Sequence, residues 1–276
     1  MWIIDPKPSV KKALKDAAIT VQHSRNLDVA DQTKLEVLYT TYNSKKGRVD
    51  ATDLAPLEAK KEIIKKQYPK TYGKDVLSYI RKDLMKDIER CPVCSVLPVT
   101  DLDHFWNESQ YGQLAVCRLN LVPTCGKCNR LKTNKPADDF LHAYYQQFPA
   151  NVVFLKSDCK IVRGYVVPVF SIDGSGLGDP TLTRRLKSQI KAVRLKNRLR
   201  AASKEFMRAL FQGTRFTTNQ ALKAYLKKRE NDKTAEYGLN DWRTALIRGL
   251  RACPGFDIAI VQNYRRSTKR TRDGKV

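Results

Sequence analysis

Two Cys-x-x-Cys pairs, Cys91-Pro-Val-Cys94 and Cys125-Gly-Lys-Cys128, stand 30 residues apart, and this spacing constrains the chain more than any other feature. A two-residue loop lets both of its thiolates reach one ion, and two such loops complete a tetrahedron of sulfurs. A redox reading calls for one such motif in a βαβ setting, and these pairs lack that setting. A zinc ion with four thiolate ligands has no open coordination position, so it is expected to hold the fold and take no part in catalysis. The remaining three of the seven cysteines, Cys117, Cys159 and Cys253, stand among apolar or basic residues and are expected to be buried structural thiols.

Lysine and arginine number 52 against 28 acidic residues, a net charge of +24. Solubility asks for roughly 2 to 8 in a small domain, so the excess points to a polyanionic partner. The positive residues recur in the N-terminal third, after residue 180 and in the tail, as an extended nucleic-acid footprint would require. No apolar run approaches the roughly 18 to 20 residues that span a bilayer, and Met1-Trp2-Ile3-Ile4 is too short for a signal segment. The expectation is a cytoplasmic protein with no membrane role, whose reducing surroundings favour metal binding over disulfides.

Apolar spacing and chain breakers predict an α+β fold that is predominantly helical. Residues 1–88 read as a helical region, with helices from Ser9 to Ala18, Asp31 to Tyr42, Leu54 to Gln67 and Tyr72 to Glu89. A core follows over 89–148: strands from Val99 to Phe105 and Leu119 to Thr124, a helix beginning at the second cysteine pair, and another from Pro136 through about Gln147. Over 149–215, Val152 to Leu155 and Tyr165 to Ser171 are expected to pair as strands, and one long helix is expected from Thr181 to Phe211. The Gly-rich run from Asp173 to Pro180 lacks the Lys-Ser/Thr ending of a phosphate-cradling loop and reads as a linker. Helices near Thr218 to Arg229 and Asn240 to Arg251 make a C-terminal helical region, 216–263, and the basic tail, 264–276, is expected to be disordered when free.

Between Thr181 and Lys204 lie nine basic residues and no acidic one. Arg184, Lys187, Lys191, Arg194 and Arg198 follow at three- and four-residue steps, which on one helix form a continuous stripe. Like charges at that spacing repel by a few tenths of a kcal/mol per pair, so the stripe is expected to meet phosphate.

The residues suited to catalysis fall inside the cysteine frame. Asp103 and His104 are consecutive on the first strand, Asn120 is on the second, and Asn129 directly follows Cys128. An imidazole can take a proton near neutral pH, and oxygen donors from Asp and Asn suit a hard ion such as Mg2+. Singly, such residues are more often a hydrogen-bonded histidine or a helix cap. In this order, on a strand, loop, strand and helix wrapped on a knuckle, they resemble the HNH (ββα-metal) endonuclease family. The resemblance implies a ββα-metal core, with His104 as the general base, Asp103 and Asn129 as ligands of a catalytic Mg2+ or Mn2+, and Asn120 supporting the loop and orienting His104. It also implies that Arg130, Lys132 and Lys135 meet nucleic-acid phosphate. Two positions depart from the commoner pattern: Asn129 stands in a His-or-Asn place, and Phe105-Trp106-Asn107-Glu108 stands where many relatives carry an apolar-Pro-Lys run. Glu108 is then an extra ligand or, as favoured here, a surface residue. His142 reads as packing on the 136–147 helix, and His23 is remote.

Leu84-Met85-Lys86, the Phe140-Leu141-His142-Ala143-Tyr144-Tyr145 segment, the strands after it and the long helix look like the layout of stand-alone bacterial HNH proteins. Some of those are nuclease partners of an ATPase in anti-phage modules of the Septu (PtuB) type. What this implies is DNA as substrate, with RNA left open, an antiviral role, and an activating protein partner such as an ATPase docking on the N-terminal helices. The alternative is a zinc-stabilised nucleic-acid-binding module without catalysis, in which Asp103 and His104 are structural.

Overall fold

The computed structural model describes residues 3 to 270, and the chain divides between Gln147 and Phe148 into two compact units. The first begins with two helices, α1 (Val10–Gln22) and α2 (Val29–Ser44). Asp28 starts α2 by accepting from the Asp31 N–H while the Asp31 side chain accepts from the Asp28 N–H, so each carboxylate satisfies an amide that the helix leaves unpaired. Asp50 and Asp53 repeat the device at α3 (Ala51–Leu54).

The expected helix from Leu54 to Gln67 is a 3-10 turn, Ala55–Lys60, followed by the short α4 (Lys61–Lys65). Pro56 lies in that turn and supplies no N–H for an α-helical ladder. The expected helix from Tyr72 to Glu89 is confined to α5 (Ser78–Met85). Before it the chain turns at Gly73, and beyond it Asp87 takes a left-handed conformation, φ 60°.

Strands β1 (Asp101–His104) and β2 (Leu121–Thr124) pair antiparallel, Asp103 opposite Val122 and His104 opposite Leu121, and α6 (Gly126–Lys132) follows directly. One core joins the helices to this hairpin: Ala13, Leu35, Leu38, Tyr39, Ile64 and Ile80 are buried in the same cluster as Leu102, Leu119 and Leu121. No helix forms from Pro136 to Gln147, where a 3-10 turn, Ala137–Asp139, is followed by irregular chain. Phe140 to Tyr144 are all buried, covered on every side as irregular chain.

In the second unit β3 (Leu155–Val162) and β4 (Tyr165–Ile172) form a hairpin closed by Arg163 and Gly164, both at positive φ, the two-residue turn that matches strand twist. The first strand expected at Val152 to Leu155 only begins at Leu155, because so tight a turn pairs Tyr165 with Val162 and Ile172 with Leu155, which leaves residues 152–154 before the ladder. The expected long helix is two helices, α7 (Pro180–Ala192) and α8 (Leu195–Phe211), split by Arg194 in the left-handed region at φ 50° and ψ 41°. The apolar phase explains the break. Leu182, Leu186 and Ile190 on α7 and Val193 at its C-cap are buried, and an unbroken helix would continue that face through Asn197, Arg200 and Lys204. The buried positions instead resume at Leu195 and Leu199, two residues out of step.

Helices α9 (Asn219–Tyr237), α10 (Trp242–Ala252) and α11 (Ile258–Arg270) complete the unit. α10 packs on β3 so closely that a Cβ at Gly249 would lie 2.1 Å from the Ser157 carbonyl oxygen. The tail expected to be disordered is helical as far as Arg270, and residues 271–276 lie outside the described residues. The architecture is thus α+β, about half helical, with two small antiparallel sheets.

Candidate metal centre and catalytic residues

The sulfur atoms of Cys91, Cys94, Cys125 and Cys128 all lie within 4.8 Å of one another, and all four residues are buried. A zinc ion with four Zn–S bonds of about 2.3 Å sets sulfur atoms roughly 3.8 Å apart; Cys94 and Cys125 are 3.9 Å apart. Local backbone prepares each half. Ser95 takes a positive φ of 52° and donates its N–H to the Cys91 carbonyl, folding the first pair back. Cys125 is the N-cap of α6, its sulfur accepting from the Cys128 N–H at 3.4 Å. The cluster could hold a zinc ion. Cys117, Cys159 and Cys253 are buried, as their surroundings in the chain suggest.

The hairpin presents two different faces. Asp101 and Asp103, two residues apart on β1, both turn toward α6. Asn129 donates from Nδ2 to Asp101 Oδ2 at 3.1 Å. The Lys132 ammonium donates to Asp103 Oδ1 at 3.1 Å and to the His104 carbonyl. Lys132 is therefore turned inward, 4% exposed, away from the surface phosphate position expected for it, while Arg130 and Lys135 are exposed. Burial pushes the Asp103 carboxyl up to about 6 against the opposing pull of Lys132, with Asp101 adding to the rise. Asp101, Asp103 and Asn129 thus put oxygen atoms on the α6 side of the hairpin, with the Asp103 carboxylate engaged by Lys132.

His104, the last residue of β1, leaves by the other face. Its Nε2 lies 2.8 Å from the Ala115 carbonyl, its ring packs edge-on against Tyr68 with centroids 4.3 Å apart, and Glu108 Oε2 stands 3.7 Å away. A carbonyl only accepts, so Nε2 carries the proton and Nδ1 is the basic nitrogen. Burial lowers the imidazole to about 4, partly offset by the Ala115 carbonyl, and it is neutral at pH 7. No hydrogen bond joins this ring to Asp103 or Asn129 among the described residues.

Asn120 ties the intervening loop at both ends. Its Nδ2 donates to the carbonyls of Trp106 and Leu114 at 3.1 and 3.3 Å, and its Oδ1 accepts from the Trp106 N–H at 2.8 Å and the Tyr42 hydroxyl at 3.3 Å. His142 extends this network: its Nδ1 accepts from the Tyr144 N–H, so its protonated Nε2 meets the Tyr42 hydroxyl at 2.9 Å. His23 bonds the Ile19 carbonyl at the end of α1.

Two participants escaped the sequence reading. Asp101 could have been found from the two-residue strand period, which puts it on the face of Asp103. Tyr68, which donates to the Leu102 carbonyl at 2.9 Å and packs on His104, carried no such signal, being separated from the strand by 34 residues. In the second unit, Arg184, Lys187, Lys191 and Arg194 are exposed and Arg198 is half-buried, but the break at Arg194 interrupts the expected stripe. Among the described residues no helix is long and apolar enough to cross a membrane. The chain matches no known family model, no curated protein and no solved structure.

Proposed function

We propose that this chain is a metal-dependent nuclease of the HNH (ββα-metal) type that hydrolyses phosphodiester bonds in DNA. One observation carries the reading: a hairpin bearing a neutral imidazole, His104, runs directly into a helix whose Asn129 and Lys132 bond the strand carboxylates Asp101 and Asp103, and the two cysteine pairs flank the hairpin. In this reading His104 takes the proton of the attacking water at Nδ1, the Ala115 carbonyl fixes its tautomer, and Asn120 holds the loop that supplies that carbonyl. Asp103 and Asn129, joined by Asp101, would hold Mg2+ or Mn2+, which when bound neutralises charge on the phosphate and the leaving oxygen. Because His104 and Asp103 leave β1 on opposite faces, the scissile phosphate has to lie across the strand end. A place in anti-phage defence beside an activating ATPase remains part of the proposal and rests on the resemblance.

The test is cleavage of plasmid, linear and single-stranded DNA with Mg2+ or Mn2+. His104→Ala is expected to lose activity by a factor on the order of 100 or more while keeping its zinc. Intact DNA with wild-type protein and either metal, together with no Mn2+ site beyond the thiolate cluster, would overturn the reading.

The Asp103–Lys132 pair favours a second reading, a zinc-stabilised nucleic-acid-binding module without catalysis, because a carboxylate satisfied by an ammonium does not require a metal. Titration of Mn2+ into His104→Ala separates the two. The nuclease reading expects one Mn2+ site beyond the thiolate cluster, abolished by Asp103→Asn; the binding-module reading expects none.

A further inference from the structure

In the unit from Phe148 onward a cavity of about 550 Å³ lies between the end of β4 and the break separating α7 from α8. Its lining divides by chemistry. Ile172 and Ile190 make an apolar wall, Ser171 and Asn197 offer hydrogen bonds, and Lys187, Lys191, Arg194 and Lys196 bring four positive charges. No carboxylate shares the lining, and among the described residues no ion pair engages these four cations.

The broken helix is what assembles them. At about 100° per residue, Lys187, Lys191 and Arg194 share a face, whereas Lys196, nine residues after Lys187, would stand roughly half a turn away on a continuous helix. The left-handed Arg194 redirects the chain so that Lys196 and Asn197 join the others, turning a one-sided stripe into a concave cluster. The first turn of α8 compounds the positive potential: Arg194 as N-cap makes no side-chain cap, and no acidic residue is present there. Like charges drawn together without a counter-ion are a standing cost to the fold that an anion of several charges would relieve.

The volume lies within the roughly 300 to 1,000 Å³ of small-ligand sites, and an apolar wall facing the cations suits a flat base joined to phosphates. We propose that this cavity binds a nucleotide, its phosphates among Lys187, Lys191, Arg194 and Lys196 and its base against Ile172 and Ile190. Two sources carry that chemistry, a free nucleoside polyphosphate and the 5′-phosphorylated end of a nucleic-acid strand. The assignment is independent of the nuclease reading, since no group of the β1–β2 hairpin takes part.

Calorimetry on the full chain, at physiological salt without added divalent ions, tests it. The probes are ATP, adenosine, inorganic tripolyphosphate, and a short single-stranded DNA with and without a 5′-phosphate. The expected result is that ATP or the 5′-phosphorylated strand binds at least about tenfold more tightly than tripolyphosphate, with no binding of adenosine. Which of the two binds identifies the source. Lys191→Ala/Arg194→Ala, both exposed positions, should weaken that binding at least about tenfold with an unchanged circular dichroism spectrum, and His104→Ala should leave it unaltered. Absence of binding by every probe, tripolyphosphate binding as tightly as the nucleotide, or a double variant that binds like wild type would each overturn the assignment.

Discussion

The Arg118 guanidinium holds both carboxylate oxygens of Asp16, at 2.5 and 2.9 Å, across 102 residues of sequence, and reaches Asp83 with its remaining nitrogen. Arg118 is 1% exposed and Asp16 is fully buried. The pair pins the loop leading into β2, and so the Ala115 carbonyl on His104, against α1 and α5. Removing one partner leaves a buried charge without compensation, which costs about 3 to 5 kcal/mol. Arg118→Ala should lower stability by that order in urea unfolding, and replacing Asp16 and Arg118 together with Leu and Met should recover much of the loss.

Asn120 should prove a positioning residue. Its amide satisfies four partners in the loop and Tyr42, so Asn120→Ala strands several buried groups, each worth about 1 to 3 kcal/mol. Loss of stability and of DNA cleavage should appear together. By contrast, His104→Ala should lose cleavage with a smaller change in melting temperature, and calorimetry of both variants checks the difference.

The buried His142 should make stability depend on pH. Burial lowers its folded value to about 3, with Lys132 adding to the fall. The unfolded chain takes up this proton near pH 6.5, so stability is complete above that value and declines as pH falls toward the folded one. The loss should reach on the order of 3 kcal/mol by pH 4.5. Urea unfolding from pH 4.5 to 7.5 should show a steeper acid decline in wild type than in His142→Gln.

Gly47 faces the same histidine. A Cβ there would lie 2.5 Å from His142 Cδ2, and its φ of 79° is a region that L side chains rarely enter. Gly47→Ala should therefore destabilise by about 2 kcal/mol, from combined backbone strain and overpacking. A melting temperature equal to wild type would contradict this.

Withdrawing metal should act on structure first. Cys94→Ser, or a strong chelator, should reduce bound zinc to none and loosen β1, β2 and α6 together, because metal binding at such a cluster is folding energy. Metal analysis and hydrogen exchange over residues 91–132 measure both effects.

By itself the sequence determined what depends on short spacing. Cys-x-x-Cys loops bring their own sulfurs together, so the four-thiol cluster was legible, as were the order of hairpin and helix around it and the position of β4, whereas the strand it pairs with was placed too early, at Val152 to Leu155. Only the tertiary structure decided that Phe140 to Tyr144 lie buried as irregular chain, that Lys132 turns inward onto Asp103, and that α7 and α8 part at Arg194. Helical periodicity records which residues are apolar; it does not record how many sides of them the rest of the protein will cover. Tyr68 against His104 and Arg118 against Asp16 join segments far apart in the chain, and such contacts leave no periodic trace because packing, not local backbone preference, brings them together.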